Sequence, residues 1–584
     1  MPRLYTPFLF RDFTRSRGRR SLAEKVVKII TPPRGLGIGV VYKMSSKKYG
    51  VVYTPNNLAD FVAKLLIETI NNDGLIRVEN VLDPACGEGA LLHAYKKLVS
   101  ENIGLIGIDV DSYATENISN EFMVYNNDSI LPKTQKKTYE YWRNKLPKVQ
   151  AIIANPPWSS EKIYTRESLT KAGFSLVDGQ YDSYVLFIEL AYKLLQDDGY
   201  FAFIIPDSIF DAQNEALRLF LAKTTQIKVI ARLGEKLFEN VFRATTVIIC
   251  QKRKPTCDSH TICFRLFTND RKEYLSGGHD LYHFYNICNH KVLQMRFLSN
   301  ANCNFDIDAR ADEESLISKI QTSCINWDEI FTFGRGVEIS KTGEVTICEH
   351  CGDAQGYTAA QLNSHKKICT SCQLETKVND STTRLIINNG KKRGFSKIIV
   401  GEDLHRYNCK SNHYVENNVT GINYKDSTLY SSPKLLVRKT GLGIYAAIDY
   451  SHEKTIQTVY ILKYKKENAV PLEYYLALLN SRVVYYYYLK VYGENEWKSH
   501  PYITKKILFS LPIKRYEGTS LDLRIIQLAT QISHKYDYAT DLQLEQIIMQ
   551  KYNLNVEDIN YIRTEMNNLP DLSSVNNMKM EADV

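Results

Sequence analysis

Between residues 50 and 251, short apolar runs alternate with longer segments whose apolar residues recur every three or four positions. Short runs of this kind read as strands, and the recurrence near 3.6 reads as amphipathic helix. The predicted strands are 78–82, 105–108, 151–154, 200–205, 227–231 and 245–250, with the clearest helices at 58–70 and 184–195. Strands alternating with helices predict a doubly wound parallel α/β sheet. From 256 to 325 the pattern weakens and predicts only a mixed connector. Beyond Trp327, segments such as Gly334-Arg335-Gly336 and Lys434-Leu435-Leu436-Val437-Arg438-Lys439 predict short strands and loops of a second unit. Residues 521–552 read as terminal helices, and the tyrosine run 485–488 as packed side chains.

Composition changes this picture little. The 584 residues exceed one usual domain. Hydrophobic residues at 44% and charged residues at 24% are ordinary for a folded chain. No apolar run reaches membrane-spanning length, so no membrane association is expected. A net charge of +9 and the clusters Lys252-Arg253-Lys254 and Lys391-Lys392-Arg393 suit a nucleic-acid backbone, although any one cluster reads more simply as solvated surface charge. Six arginines against one acid in residues 1–20 suit a phosphate-touching arm better than an organelle presequence. Twelve scattered cysteines do not suit a disulfide scaffold, so a reducing, cytoplasmic setting is expected.

Asp83-Pro84-Ala85-Cys86-Gly87-Glu88-Gly89 follows the first predicted strand and precedes a helix starting near Ala90. Open α/β sheets bind ligands at the carboxyl ends of their strands, and glycines there allow close backbone approach. No phosphate-binding G-x-G-x-x-G is present, and an acid at Asp83 suits a ligand with an ammonium group. The second strand ends at Asp109, placed to accept both hydroxyl hydrogens of a ribose, and Asn127-Asp128 lies near the end of a third, placed for an adenine. Together these acids favour S-adenosylmethionine (AdoMet) over a dinucleotide.

A buried-strand run, 151–154, stops at Asn155-Pro156-Pro157-Trp158 on the same sheet edge. Two prolines hold the backbone extended, leaving the Asn155 side-chain oxygen and the Pro156 carbonyl as fixed acceptors for the two hydrogens of an exocyclic amine. Accepting both localises the nitrogen lone pair for in-line attack on a methyl group, with no covalent enzyme intermediate. A base inside a duplex must flip out to reach such a loop, and Trp158 offers a stacking face, with Phe242 as the candidate second face.

These motifs, in this order, resemble the gamma class of DNA adenine-N6 methyltransferases, the TaqI-like type II modification enzymes. The resemblance assigns Tyr53, Thr54 and Pro55 to the leading cofactor motif, with Phe61 alongside. It assigns Asp83, Ala85, Gly87 and Gly89 to the glycine loop, Asp109 to the ribose, Asp128 to the adenine side, and Tyr184 and Phe187 to cofactor packing. The catalytic set is Asn155, Pro156, Pro157, Trp158 and Phe242, with tryptophan standing where tyrosine or phenylalanine is commoner. The strand 201–206 resembles the family's next strand, ending in proline. Gly334-Arg335-Gly336-Val337, residues 401–407 and residues 508–513 resemble its target-recognition region.

Cys348, Cys351, Cys369 and Cys372 form two C-x-x-C pairs separated by seventeen residues, spacing that suits a structural, four-thiolate zinc ribbon. His350 and His365 are weaker substitutes, and four protein ligands leave no open catalytic position. The expected organisation is a basic arm at 1–45, a Rossmann-like AdoMet-dependent methyltransferase domain at 46–255 and a connector at 256–325. An α+β target-recognition domain follows at 326–520, its zinc ribbon at 345–375, and then a helical segment at 521–584. The expected partner is double-stranded DNA. About fifty residues precede Tyr53, too few for a nuclease, so a separately encoded restriction endonuclease is the further expected partner of a monomeric chain. The alternatives are another planar amine (cytosine N4, an RNA guanine or a protein glutamine) and a zinc-containing DNA-binding protein with a decayed methylase domain.

Overall fold

The computed structural model describes residues 54–580 apart from 101, 117, 119–120, 159–163, 178–181, 239–242, 341, 468, 494–501, 570–571 and 574. The basic arm, Tyr53 and Phe242 lie outside the described residues.

Nine strands form the principal sheet: β1 (Asn80–Asp83), β2 (Gly104–Asp109), β3 (Met123–Asn126), β4 (Val149–Ala154), β5 (Leu195–Pro206), β6 (Gln226–Gly234), β7 (Thr245–Gln251), β8 (His260–Arg265) and β9 (His290–Leu293). Their order is β3-β2-β1-β4-β5-β7-β6-β8-β9. The predicted strands are all present. The first five are mutually parallel, whereas β7 runs antiparallel to both β5 and β6, and β9 runs antiparallel to β8. The expected doubly wound sheet is thus parallel over its first five strands and gains antiparallel pairings at β7 and β9. The short connection from Gly234 to Thr245 is too brief for a helical crossover, so β6 and β7 pair as antiparallel neighbours.

Residues 256–325 are not merely a connector, because β8 pairs in parallel with β6 and carries the sheet onward. Side chains alternate between two cores along each strand. Ile152, Phe201 and Phe203 enter one, while Ile153, Ala202 and Ile204 enter the other. Helices α1 (Asn56–Asp73) and α2 (Ala90–Leu98) cover the second core, and α3 (Tyr184–Leu194) covers the first.

The C-terminal part has separate sheets. Phe331–Arg335, Val459–Tyr464, Lys434–Arg438 and Ala446–Asp449 form one antiparallel set in that order. A large core joins it to α4 (Leu472–Leu479), α5 (Arg482–Tyr492), α6 (Ser520–His534), α7 (Tyr538–Lys551) and α8 (Val556–Asn567). Tyr485, Tyr486, Tyr487 and Tyr488 are all buried in α5. The terminal helices therefore share a core with the sheet before them. Val337 and Ile456 pair side by side, and the segment between them still supplies Lys434–Arg438 and Ala446–Asp449 to this sheet and Tyr407 to its core. No helix among the described residues is long and apolar enough to cross a membrane.

Candidate active site and cysteine cluster

The turn after β1 is built on positive-φ glycines. Gly87 has φ 48° and Gly89 φ 79°, conformations that side chains disfavour. The turn is then bolted to β2: Gly87 N–H donates to Asp109 Oδ2 at 2.7 Å and Cys86 N–H to the Ile108 carbonyl at 3.1 Å. A Cβ on Gly107 would stand 2.7 Å from Cys86 Sγ, so this contact needs glycine on β2 as well. Asp109 Oδ1 accepts from Asp111 N–H, and burial raises its pKa. Asp83 is buried; its Oδ1 accepts from Ala85 N–H at 3.0 Å. Burial, aided by Asp109, outweighs that bond and pushes its carboxyl up to about 8.

After β3, Asp128 Oδ1 accepts from the N–H groups of Ile130 and Leu131. Tyr164 donates its hydroxyl to both Asp128 oxygens, at 3.1 and 3.0 Å. Ser129 Oγ donates to the Pro84 carbonyl at 2.5 Å, tying this loop to the first.

Beyond β4, Asn155 Nδ2 donates to Thr54 Oγ1 at 3.0 Å, across 101 residues. The Pro157 carbonyl accepts from Ser183 Oγ, and the Trp158 carbonyl accepts from Arg243 Nη1 at 2.5 Å. The Trp158 indole donates to the Ile204 carbonyl, and its ring meets Phe238 edge-on at 5.3 Å. Among the described residues, no donor reaches the Pro156 carbonyl.

One cavity of about 480 Å³ takes in these loops. Thr54, Asp83, Ala85, Gly87, Asp109, Asp128 and Phe187 line it, as do Asn155, Pro156, Pro157 and Trp158. Pro55 and Gly89 do not; they are the N-caps of α1 and α2. The sequence reading missed Tyr164, Ser183 and Arg243 as site residues, and Ser183 beside the packing residue Tyr184 was the nearest hint to any of them. Lys252 and Arg253 pair with Asp197 and Asp198 at the amino end of β5, on the sheet edge opposite this cavity. The trio Lys391, Lys392 and Arg393 is exposed.

Cys348, Cys351, Cys369 and Cys372 place their sulfurs within 4.8 Å of one another. Cys348–Cys372 and Cys351–Cys369 are 3.7 and 3.6 Å apart. A tetrahedron with Zn–S bonds of about 2.3 Å has edges of about 3.8 Å, so the four donors fit that ion. Gln355 braces the cluster by donating to Cys369 Sγ at 2.7 Å. His350 instead contacts the Glu375 carbonyl.

Residues 40–282 match the family model described as N-6 DNA methylase. The chain carries an N-6 DNA methylase domain. Behind the methylase domain, residues 396–513 match a TaqI-like C-terminal specificity domain. The chain is 29% identical over 217 residues to the type II methyltransferase M.BanIII of Aneurinibacillus aneurinilyticus, covering 33% of this chain and 37% of that one. It is 26% identical over 238 residues to the type II methyltransferase M.VspI of a Vibrio species, covering 39% and 55% respectively. Against the type I restriction enzyme MjaVII methylase subunit of Methanocaldococcus jannaschii the identity is 28% over 320 residues, covering 50% and 47%. The matches thus span 37% to 55% of these relatives' own lengths.

Proposed function

We propose that the protein is a site-specific DNA methyltransferase that transfers a methyl group from AdoMet to the N6 amine of a flipped-out adenine, as the modification component of a restriction-modification system. The observation that carries this reading is the contrast among successive carbonyls. Those of Pro157 and Trp158 are held by protein donors, while that of Pro156, a residue that lines the cavity, meets none among the described residues. Thr54 orients the Asn155 amide beside it. Two acceptors held by rigid backbone suit the two hydrogens of a planar amine and need no reorganisation as charge develops.

The cavity's residues fit AdoMet by donor chemistry. Asp83 would hold the ammonium group, Asp109 the ribose hydroxyls and Asp128 the adenine, and Phe187 would pack against the bound molecule. AdoMet supplies the electrophilic methyl group. The chain's own part is positional: Asn155 and Pro156 draw the amine hydrogens away and aim its lone pair, and Trp158 walls the base.

The specificity part reads double-stranded DNA, with Lys391, Lys392 and Arg393 as exposed phosphate contacts. The four cysteines hold one structural zinc, which suits a reducing cytoplasm. The protein acts as a monomer beside a separately encoded endonuclease.

The test incubates the protein with labelled AdoMet and plasmid DNA, RNA or protein, and identifies the methylated product. N6-methyladenine in DNA is expected; label only in cytosine, RNA or protein refutes the reading. Asn155→Ala should lose about 100-fold or more in turnover while AdoMet affinity changes less than about threefold. An equal loss of both contradicts the division of roles.

A further inference from the structure

A segment with two prolines has few backbone N–H groups to anchor it, so its aim depends on what grips its carbonyls. The Trp158 carbonyl is gripped by Arg243, whose other terminal nitrogen donates to Asp182 Oδ2 at 2.6 Å. Asp182 is 5% exposed, and the same oxygen accepts from Ser208 Oγ at 2.9 Å. Ser183, next in the chain, donates to the Pro157 carbonyl. Residues from the turn before α3, the turn after β5 and the segment entering β7 thus converge on two successive carbonyls.

We propose that Arg243, oriented by Asp182, is a positioning residue for methyl transfer. It holds the Trp158 peptide plane and, through the stiff prolines, the direction of the Pro156 carbonyl. A guanidinium is a rigid fork, so two bonds to two acceptors fix an angle as well as a distance, which a lysine ammonium does not. Its side chain is 40% exposed, and an arginine so placed in a DNA-binding protein has a second use as a phosphate contact. The geometry favours positioning, because both terminal nitrogens already engage protein acceptors. The inference rests on the reading of the tetrad as the amine-gripping loop.

The test uses the full-length protein, with Arg243→Ala, Arg243→Lys and Asp182→Asn beside the unaltered chain. Single-turnover methylation, KM for DNA, AdoMet affinity and melting temperature are measured together. Arg243→Ala should slow single turnover about 100-fold, as small misplacements near reacting atoms do, with KM and AdoMet affinity changed less than threefold. Added guanidinium ion should restore part of that rate. Arg243→Lys should recover only part of it, and Asp182→Asn should fall between.

An unchanged rate overturns the proposal. A raised KM with an unchanged rate also overturns it, assigning Arg243 to a phosphate. A parallel loss of AdoMet affinity and rate, without guanidinium rescue, assigns it a structural role and overturns it too. Should Arg243→Ala fail to fold, Arg243→Lys decides: a rate at the unaltered level sinks the proposal, and one about tenfold lower at the same KM sustains it. The unaltered chain is assayed first, since its failure to methylate DNA adenine refutes the functional reading rather than this inference.

Discussion

Asp83 is buried with a single backbone donor and a carboxyl pushed up to about 8, against 3.8 for an ordinary aspartate. Between these values the folded, ligand-free chain holds a proton that the unfolded chain has lost. Stability at this residue therefore falls as pH rises from about 4 to 8 and levels off above. An ammonium group arriving beside Asp83 favours the carboxylate, so AdoMet binding at pH 7 should release a proton. Calorimetric titrations in buffers of different ionisation enthalpy will read that release as a slope, and Asp83→Asn should abolish it. An unchanged slope in the variant excludes Asp83 as the source. Asp83, Asp109 and Asn155 were legible because each sits in a contiguous motif at a strand end. Tyr164 and Arg243 were not, because their partners lie 36 and 85 residues away and only the folded loops bring them together.

At the scale of elements, the strands were legible from apolar runs with a clear end, and β8 and β9 were not. His260–Arg265 alternates over only six residues, and His290–Leu293 offers four between short helices, so nothing local separates them from a connector. The place of β8 follows from pairing with β6, and that of β9 from pairing with β8, both long-range facts. The ribbon was legible from spacing alone. It buries little of its own: Val345 and Ala354 reach a core, while Ile368 and Leu374 are 53% and 51% exposed. With the proposed zinc bound, metal ligation would supply much of its folding energy. The purified protein should contain about one zinc per chain, lost in Cys369→Ser. Hydrogen exchange should then speed up across residues 344–385, while AdoMet affinity holds. A metal-free protein with a protected ribbon would refute this, and unfolding that spreads to α4 and α5 would show that the ribbon supports the large core.

Across the whole molecule, buried charge joins distant segments. Arg406 and Arg482 both contact Asp541, and Arg482 also reaches Glu545, all at 1–3% exposure or less. Burial alone would raise the Asp541 carboxyl, but the two guanidinium groups outweigh it and hold it below the usual carboxylate range. Its contribution to stability is therefore present above the unfolded value near 3.8 and is lost as pH falls through the folded one. Asp541→Ala leaves two buried cations with one fewer counter-charge and should cost about 3–5 kcal/mol, read as a lower denaturation midpoint. A change below about 1 kcal/mol would mean that the arginines find other partners.

A second joint links the two matched regions, where Arg232 and Arg265, from β6 and β8, both donate to the Gly493 carbonyl at the end of α5. Helix α5 therefore belongs mechanically to the catalytic half as much as to the half that follows it. Anyone building chimeras with altered sequence preference inherits that constraint. A seam at residue 325 would pair α5 of one parent with the arginines of the other. Seams at Gly343 and Ile386, joined by a backbone hydrogen bond, would exchange the cysteine-bearing segment between them as a cassette and leave the hinge pin of a single parent in place.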